Sequence, residues 1–373
     1  MRARPSPLII GHRGACGYRP EHTASAYRLA FALGADAVEP DVVATRDGVL
    51  VIRHENEISA TTDVAEHPEF AARRTTKSVD GALMTGWFTE DFTWAELATL
   101  RARERLGGLR QASRSFDGQF PILRLRDLFA LVDDVAQGSS SLAGIVAEIK
   151  HATYFESIGL PLDELFAAEL AQVGWAEERQ RLVVESFERT VLGKLHQRGV
   201  RADRVYLIEA SGSPFDEIAA HGEAARSYAD EMTEAGLYAL ATAPAASRVA
   251  GVSVDTSMIL NDPVGSARVG SGELEFGRVG PSPVGSDPDD PAPEPTEPIA
   301  VSELVDLVHA AGLTAYCWTL RPENRFLVPS LRRGGAPADY GDWQTEYRLI
   351  MGTGVDGVFA DHPDLALAVR DTL

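Results

Sequence analysis

Glu39 and Asp41 stand two apart in the apolar run Ala37–Val43, so a strand through them sends both carboxylates to one face. Two adjacent carboxylates repel unless a positive charge sits between them. A hard divalent cation with oxygen ligands, Ca2+ or Mg2+, is the natural partner. Glu148, in the later run Gly144–Ile149, can supply a third carboxylate. His12 precedes Arg13 and Gly14 at the end of Leu8–His12, and His54 with Glu55 follows Val49–Arg53. Histidine exchanges protons near neutral pH, so two of them on opposite sides of a phosphorus can act as acid and base. Arg13 offers a planar fork that matches phosphate oxygens, and Lys150 adds a point charge. Each group has a plainer alternative: carboxylates solvated at a strand end, histidines packed and hydrogen-bonded, cations paired to the carboxylates. Together, three carboxylates, a metal, two histidines, an arginine and a lysine describe phosphate-ester chemistry.

Such groups need a scaffold that brings distant segments to one rim. Apolar runs that read as strands occur at Leu8–His12, Ala37–Val43, Gly144–Ile149, Leu182–Ser186, Val205–Ile208, Gly251–Val254, Thr314–Thr319 and Gly357–Ala360. Each is short and bounded by polar or turn residues, as expected of strands buried on both faces. Helical stripes lie between most of them. Ala24, Tyr27 and Phe31 share a face before Gly34, and Leu162, Leu165, Phe166 and Val173 precede Gly174. Ser302 suits a cap for a helix carrying Leu304, Val305 and Val308, and Pro363 suits the first turn of a last one. Eight such alternations predict a closed (β/α)8 TIM barrel, with a doubly wound open sheet as the alternative. In a barrel the chemistry sits at the C-terminal strand ends, where His12, Glu39, Asp41, Glu148, Lys150, Glu185 and Trp318 all fall.

Three stretches break the alternation. Asp47-Gly48 reads as a hairpin turn, so the run Val49–Arg53 doubles back and opens an insertion over residues 55–120 after the second strand. Its Trp87, Phe88 and Phe92 are expected to pack it onto the barrel. Residues 261–298 are rich in Pro, Gly, Ser and acid and read as a long loop, and Arg321–Tyr347 reads as irregular.

The 373 residues form one domain in this reading, with ample length for a large core. Lysine and arginine number 35 against 55 aspartates and glutamates, a net charge of −20. That surface repels phosphate backbones and argues against non-specific nucleic-acid binding, while leaving room for an anionic substrate in a locally basic pocket. Two cysteines, Cys16 and Cys317, are too few for a disulfide framework or a zinc ribbon and read as small buried groups. No run of 18 apolar residues suggests a membrane span. Met1–Pro7 has no apolar segment behind it, so the chain as given reads as leaderless. This suggests a cytoplasmic protein, or an exported one whose signal has been removed. Oligomeric state is not legible.

The ordered set Gly11-His12-Arg13-Gly14, Pro20-Glu21-His22-Thr23, Glu39-Pro40-Asp41, His54, Glu148-Ile149-Lys150 and the closing Gly354 to Pro363 resembles the glycerophosphodiester phosphodiesterase family, over nearly the whole chain. The stretch from His54 through Trp87 to Phe92 looks most like bacterial members with a large insertion, many of them exported and calcium-dependent. The resemblance implies a TIM barrel and metal ligation by Glu39, Asp41 and Glu148. It implies an acid/base pair at His12 and His54, a phosphate contact at Arg13, a nearby cation at Lys150, and a pocket aromatic at Trp318. Glu21 matches an acid near or supporting the metal site. His22 stands where the family carries Asn, and Glu185 where many members carry Gln, which leaves both roles open. The implied reaction is hydrolysis of a glycerophosphodiester, or of polymeric glycerol phosphate, to glycerol 3-phosphate and an alcohol. Two alternatives remain: a phospholipase D-like lyase acting on lysophospholipids, and a catalytically silent barrel that binds phosphodiesters.

Overall fold

The computed structural model describes residues 6–137, 143–178, 180–262 and 299–373. Its strands are β1 (Leu8–His12), β2 (Ala37–Glu39), β3 (Asp41–Ala44), β4 (Leu50–Ile52), β5 (Thr75–Val79), β6 (Ala82–Gly86), β7 (Gly144–Ile149), β8 (Leu182–Ser186), β9 (Asp203–Ile208), β10 (Gly251–Asp255), β11 (Leu260–Asn261), β12 (Ala300–Val301), β13 (Thr314–Leu320) and β14 (Gly357–Ala360). Parallel pairing runs from β2 through β1, β14, β13, β10, β9, β8 and β7, and β2 pairs with β7 to close a barrel of eight parallel strands. Closure excludes the open doubly wound sheet.

The second barrel strand is split at Pro40, which has no N–H to give to a ladder. The register nevertheless runs through: Val38 opposes Ile145 in β7, and Asp41 opposes Glu148. The Pro40 carbonyl also accepts from the Glu148 N–H at 2.9 Å. Ala37–Ala44 thus acts as one strand with a single missing donor.

The expected hairpin is present. Gly48 takes the left-handed φ of 75° that Asp-Gly turns need, and β4 returns antiparallel with Val43 opposite Val51. Residues 55–120 then form short 3-10 turns, the hairpin β5–β6, and two one-turn helices, Trp94–Leu97 and Gln111–Arg114. Trp87, Phe88 and Phe92 are buried, and Phe92 meets Phe70 edge-on at 5.1 Å. They pack the insertion onto the barrel, as expected of aromatics that remove large apolar areas from water.

The core has two parts. Ile10, Ala37, Val146 and Phe359 plug the barrel interior with Trp318 against them, while a much larger cluster fills the space between strands and helices. Thr23 caps the helix Ala24–Ala32 by accepting from the Ala26 N–H, and Ser302 accepts from Leu304 ahead of the helix Leu304–Ala310. Pro363 opens the last helix, Pro363–Arg370.

Two expectations are adjusted. The last residues of the stretch Arg321–Tyr347, expected to be irregular, open the helix Trp343–Gly352, which runs on beyond it. Asn261, expected in a loop, belongs to β11, which pairs with β12 so that Asn261 opposes Ala300. Asp262 accepts from the Ser330 N–H and hydroxyl, and the remainder of the expected 261–298 loop, residues 263–298, lies outside the described residues.

Candidate active site

The barrel places acidic residues side by side at its mouth. His12 at the end of β1 is in register with Glu39 on β2, Asp41 on β3 is level with Glu148 on β7, and Glu148 is level with Glu185 on β8. Glu39, Asp41 and Glu148 each offer an oxygen within 4.8 Å of the others. All three are buried, and so is Glu185. Glu39 Oε1 and Glu185 Oε2 find no hydrogen-bond partner among the described residues. Burial, with Asp41 beside it, pushes Glu39 well above the usual carboxylate range. Burial, eased by Lys150, moves Glu148 up to about 7, and burial with Glu148 adjacent raises Glu185. Buried carboxylates with unsatisfied oxygens fit a hard divalent cation held by oxygen ligands. The three carboxylates expected as metal ligands are therefore the three that converge.

Cations border this group on two sides. Lys150 Nζ lies 2.9 Å from Glu148 Oε1, 3.4 Å from Asp41 Oδ1 and 3.0 Å from His54 Nε2. Arg13 Nε approaches Asp41 Oδ2 at 3.5 Å, and its backbone N–H donates to Glu39 Oε2 at 2.8 Å. Arg13 holds φ 57°, and Gly14 after it φ 86°. A left-handed arginine is sterically unfavourable and persists only where neighbours pin it. Here the Glu39 carboxylate does so, and a Cβ on Gly14 would collide with the backbone of Ala26. His22, the residue whose role the sequence left open, is fully buried. Its Nε2 lies 2.9 Å from Asp41 Oδ2, and its Nδ1 lies 2.8 Å from the Tyr27 hydroxyl. It braces Asp41. Against the effect of burial, Lys150, His54, His22 and Arg13 hold Asp41 below its usual range.

Both histidines are backed by carboxylates. Asp361 Oδ1, just past β14, accepts from His12 Nδ1 at 2.6 Å. Glu55 Oε1 accepts from His54 Nδ1 at 2.5 Å. Cationic neighbours keep Asp361 and Glu55 ionised despite burial, so both act as acceptors. That assigns the proton to Nδ1 of each ring and leaves Nε2 as the nitrogen able to exchange one. Burial and then Arg13 lower the His12 pKa to about 3, so the ring is neutral at pH 7.

The expected aromatic, Trp318, is half-buried on the inner wall. Its Nε1 donates to the Ser253 carbonyl at 3.3 Å, and its ring meets Phe187 edge-on at 5.8 Å. Cys16 and Cys317 are buried and unbridged. Cys317 is in the apolar core, whereas Cys16 Sγ lies 3.7 Å from Arg110 Nη1.

The sequence reading gave no role to Asp361, Glu55 or Glu323, nor to two arginines, Arg105 and Arg110. Arg105 donates to Glu21 and Glu55, and Arg110 to Asp361 and Glu323. Both come from the insertion, whose sequence carries no motif to mark them; the available signal was the charged run Arg101-Ala102-Arg103-Glu104-Arg105. With His12, Arg13, Glu21 and Asp361 they line a cavity at the barrel mouth.

Known proteins resemble this chain in sequence and in fold. The model of the glycerophosphoryl diester phosphodiesterase family matches residues 12–365. The glycerophosphodiester phosphodiesterase GDPD6 of Arabidopsis thaliana is 35% identical over 198 residues, covering 50% of this chain and 51% of that protein. The chain spans about half the length of the curated relatives it matches first. A crystal structure of a Silicibacter pomeroyi protein aligns with a TM-score of 0.62 at 21% identity, covering 100% of this chain and 95% of that one. An Oleispira antarctica phosphodiesterase, solved in complex with the product sn-glycerol-3-phosphate, aligns with a TM-score of 0.55 at 18% identity over 98% of this chain and 97% of that one. At these identities the two structures speak for the fold. Among the described residues no helix is long and apolar enough to cross a membrane.

Proposed function

This chain belongs to the glycerophosphoryl diester phosphodiesterase family, and from that premise we propose that it hydrolyses glycerophosphodiesters to glycerol 3-phosphate and an alcohol. The supporting observation is the convergence, at one barrel mouth, of the buried carboxylates Glu39, Asp41 and Glu148 with two carboxylate-backed histidines. Glu39, Asp41 and Glu148 would hold a divalent cation, Ca2+ or Mg2+, which when bound polarises a phosphoryl oxygen and favours negative charge there.

The chain's own groups do the rest. Arg13 and Lys150 face charge developing on the non-bridging oxygens. Each is already held in place, Arg13 by Glu21 at 3.2 Å and Lys150 by Glu148. One of His12 and His54 takes a proton from the attacking oxygen at its Nε2. The other, once protonated, gives one to the leaving alkoxide. The Nδ1 hydrogen bonds to Asp361 and Glu55 fix each ring and stabilise the imidazolium form as it appears. Trp318 presents an apolar edge to the carbon skeleton of the substrate.

The test is release of glycerol 3-phosphate from glycerophosphocholine. Turnover should vanish in excess chelator and return with Ca2+ or Mg2+, and Glu148→Gln should weaken cation binding measured by calorimetry. Full turnover in chelator would overturn the metal assignment, and no glycerol 3-phosphate under any condition would overturn the reaction.

A further inference from the structure

Arg105 and Arg110 lie five residues apart in the insertion, and their guanidinium groups reach opposite sides of the site. Arg105 grips two carboxylates. Its Nε and Nη2 donate to Glu21 at 2.8 and 2.7 Å, and its Nη1 and Nη2 donate to Glu55 at 2.6 Å each. Arg110 uses all three nitrogens. Nε donates to Glu323 at 2.7 Å, Nη2 to Asp361 at 2.6 Å, and Nη1 to the Cys16 carbonyl at 3.4 Å. The pattern repeats on both sides: histidine Nδ1, carboxylate, arginine, second carboxylate. On one side it reads His54, Glu55, Arg105, Glu21, and on the other His12, Asp361, Arg110, Glu323.

The members come from five places in the chain. Glu21 follows β1, Glu55 follows β4, Glu323 follows β13 and Asp361 follows β14, while both arginines come from one short turn. That turn is itself braced. The Leu109 and Arg110 N–H groups donate to the Leu106 carbonyl, and Glu104 accepts from the Leu106 N–H at 2.7 Å and from Ser113 Oγ at 2.5 Å. All four carboxylates and both arginines have side chains at most 13% exposed. A planar fork meeting carboxylates from two edges fixes angle as well as distance, which a flexible ammonium does not.

We propose that Arg105 and Arg110 are positioning residues: through Glu55 and Asp361 they set the orientation of His54 and His12, so that the insertion aims both halves of the acid/base pair. This rests on the two-histidine reading given above. Insertion and barrel are then one machine, and a displaced turn would move both histidines together. Placement matters at this scale, because a shift of about 1 Å in a reacting group can cost about 10²-fold in rate.

The experiment compares Arg105→Met and Arg110→Met on two substrates, glycerophosphocholine and the p-nitrophenyl ester of glycerol phosphate, in saturating Ca2+. Each variant leaves the carboxylate behind its histidine a partner, since Asp361 keeps Arg321 at 2.8 Å and Glu55 keeps His54; Glu21 keeps Arg13, whereas Glu323 loses the donor it has in Arg110. With glycerophosphocholine, kcat should fall by about 10- to 100-fold in both, with KM changed by less than about threefold. The aryl leaving group departs without a proton. The variant that misaims the acid should therefore regain about tenfold or more of its loss on the aryl ester, and the other should not. That split also identifies which histidine is the acid. If a Met variant fails to fold, Arg105→Lys and Arg110→Lys keep the charge without the fork, and the same split is expected at wild-type melting temperature. Unchanged kcat, a change in KM alone, or equal losses on both substrates in both variants would overturn the proposal. His12→Ala and His54→Ala serve as controls. If they too retain wild-type turnover, the two-histidine reading itself fails; if they are inactive while the arginine variants are not, only the positioning role fails.

Discussion

The mouth of the barrel holds two sets of largely buried carboxylates that behave in opposite ways. Glu39, Glu148 and Glu185 are pushed up, because burial and mutual repulsion outweigh the cations near them. Glu21, Glu55 and Asp361 are held well below the usual range, because arginines more than offset the same burial. Burial is common to both sets, so it cannot be what separates them. The difference is whether the chain brings its own cation. One set is complete as folded and fixes side chains in place. The other has negative charge to spare and is suited to receiving a cation from solution. Asp41 belongs to both, since it sits among the converging carboxylates yet is braced by His22, Arg13 and Lys150.

This contrast can be broken by substitutions of opposite sign. The largest effect is expected on the arginine-bound set. Asp361→Asn leaves Arg110 and Arg321 without their shared anion, and removing one partner of a buried ion pair costs about 3–5 kcal/mol. Thermal denaturation in chelator should show a clear fall in melting temperature, and no fall would mean that these pairs are dispensable to the fold. A smaller change of the other sign is expected from Glu185→Gln. It removes a buried charge that repels Glu148 and Asp41, so the protein should gain about 1–2 kcal/mol in chelator. Calorimetry should find cation binding weakened in the same variant if Glu185 contributes to the field that draws the ion. A loss of stability in chelator would show that Glu185 is already satisfied.

The smallest expected effect concerns Glu104, which braces the turn carrying both arginines. Burial, relieved in part by Arg110 and Ser113, raises its pKa to about 7. A carboxyl raised in the folded state binds protons there more tightly than in the unfolded chain. Its contribution is fully present below the unfolded value near 4.5 and is lost as pH rises through about 7. Glu104→Gln does not titrate. Its melting temperature relative to wild type should therefore climb between pH 4.5 and pH 7 and then level off. A flat difference across that window would place Glu104 outside the raised set.

Much of this was readable in the chain. All eight barrel strands fall where short apolar runs between turn residues place them, and the hairpin follows from Asp47-Gly48. Glu39, Asp41 and Glu148 converge as the strand alternation and the barrel rule expect. The histidines and Lys150 stand at the same rim. These positions are legible because they hang on periodic elements, and period 2 tells which face a residue occupies. The insertion has no such period. Its Trp87, Phe88 and Phe92 could be expected to pack, but nothing local distinguishes Arg105 and Arg110 from any solvated arginine.

What the sequence by itself determined was therefore the barrel, its rim, and the residue types arrayed on it. Hydrophobic periodicity and turn chemistry are local, and each strand declares itself within a few residues. Tertiary structure decided the pairings: Asp361 against His12 across 349 positions, Arg110 against Glu323 across 213, Arg105 against Glu21 across 84. The sequence names the charges that a buried ion pair needs. Which charge meets which depends on where chain closure brings strand ends and insertion together, and that is a property of the whole fold.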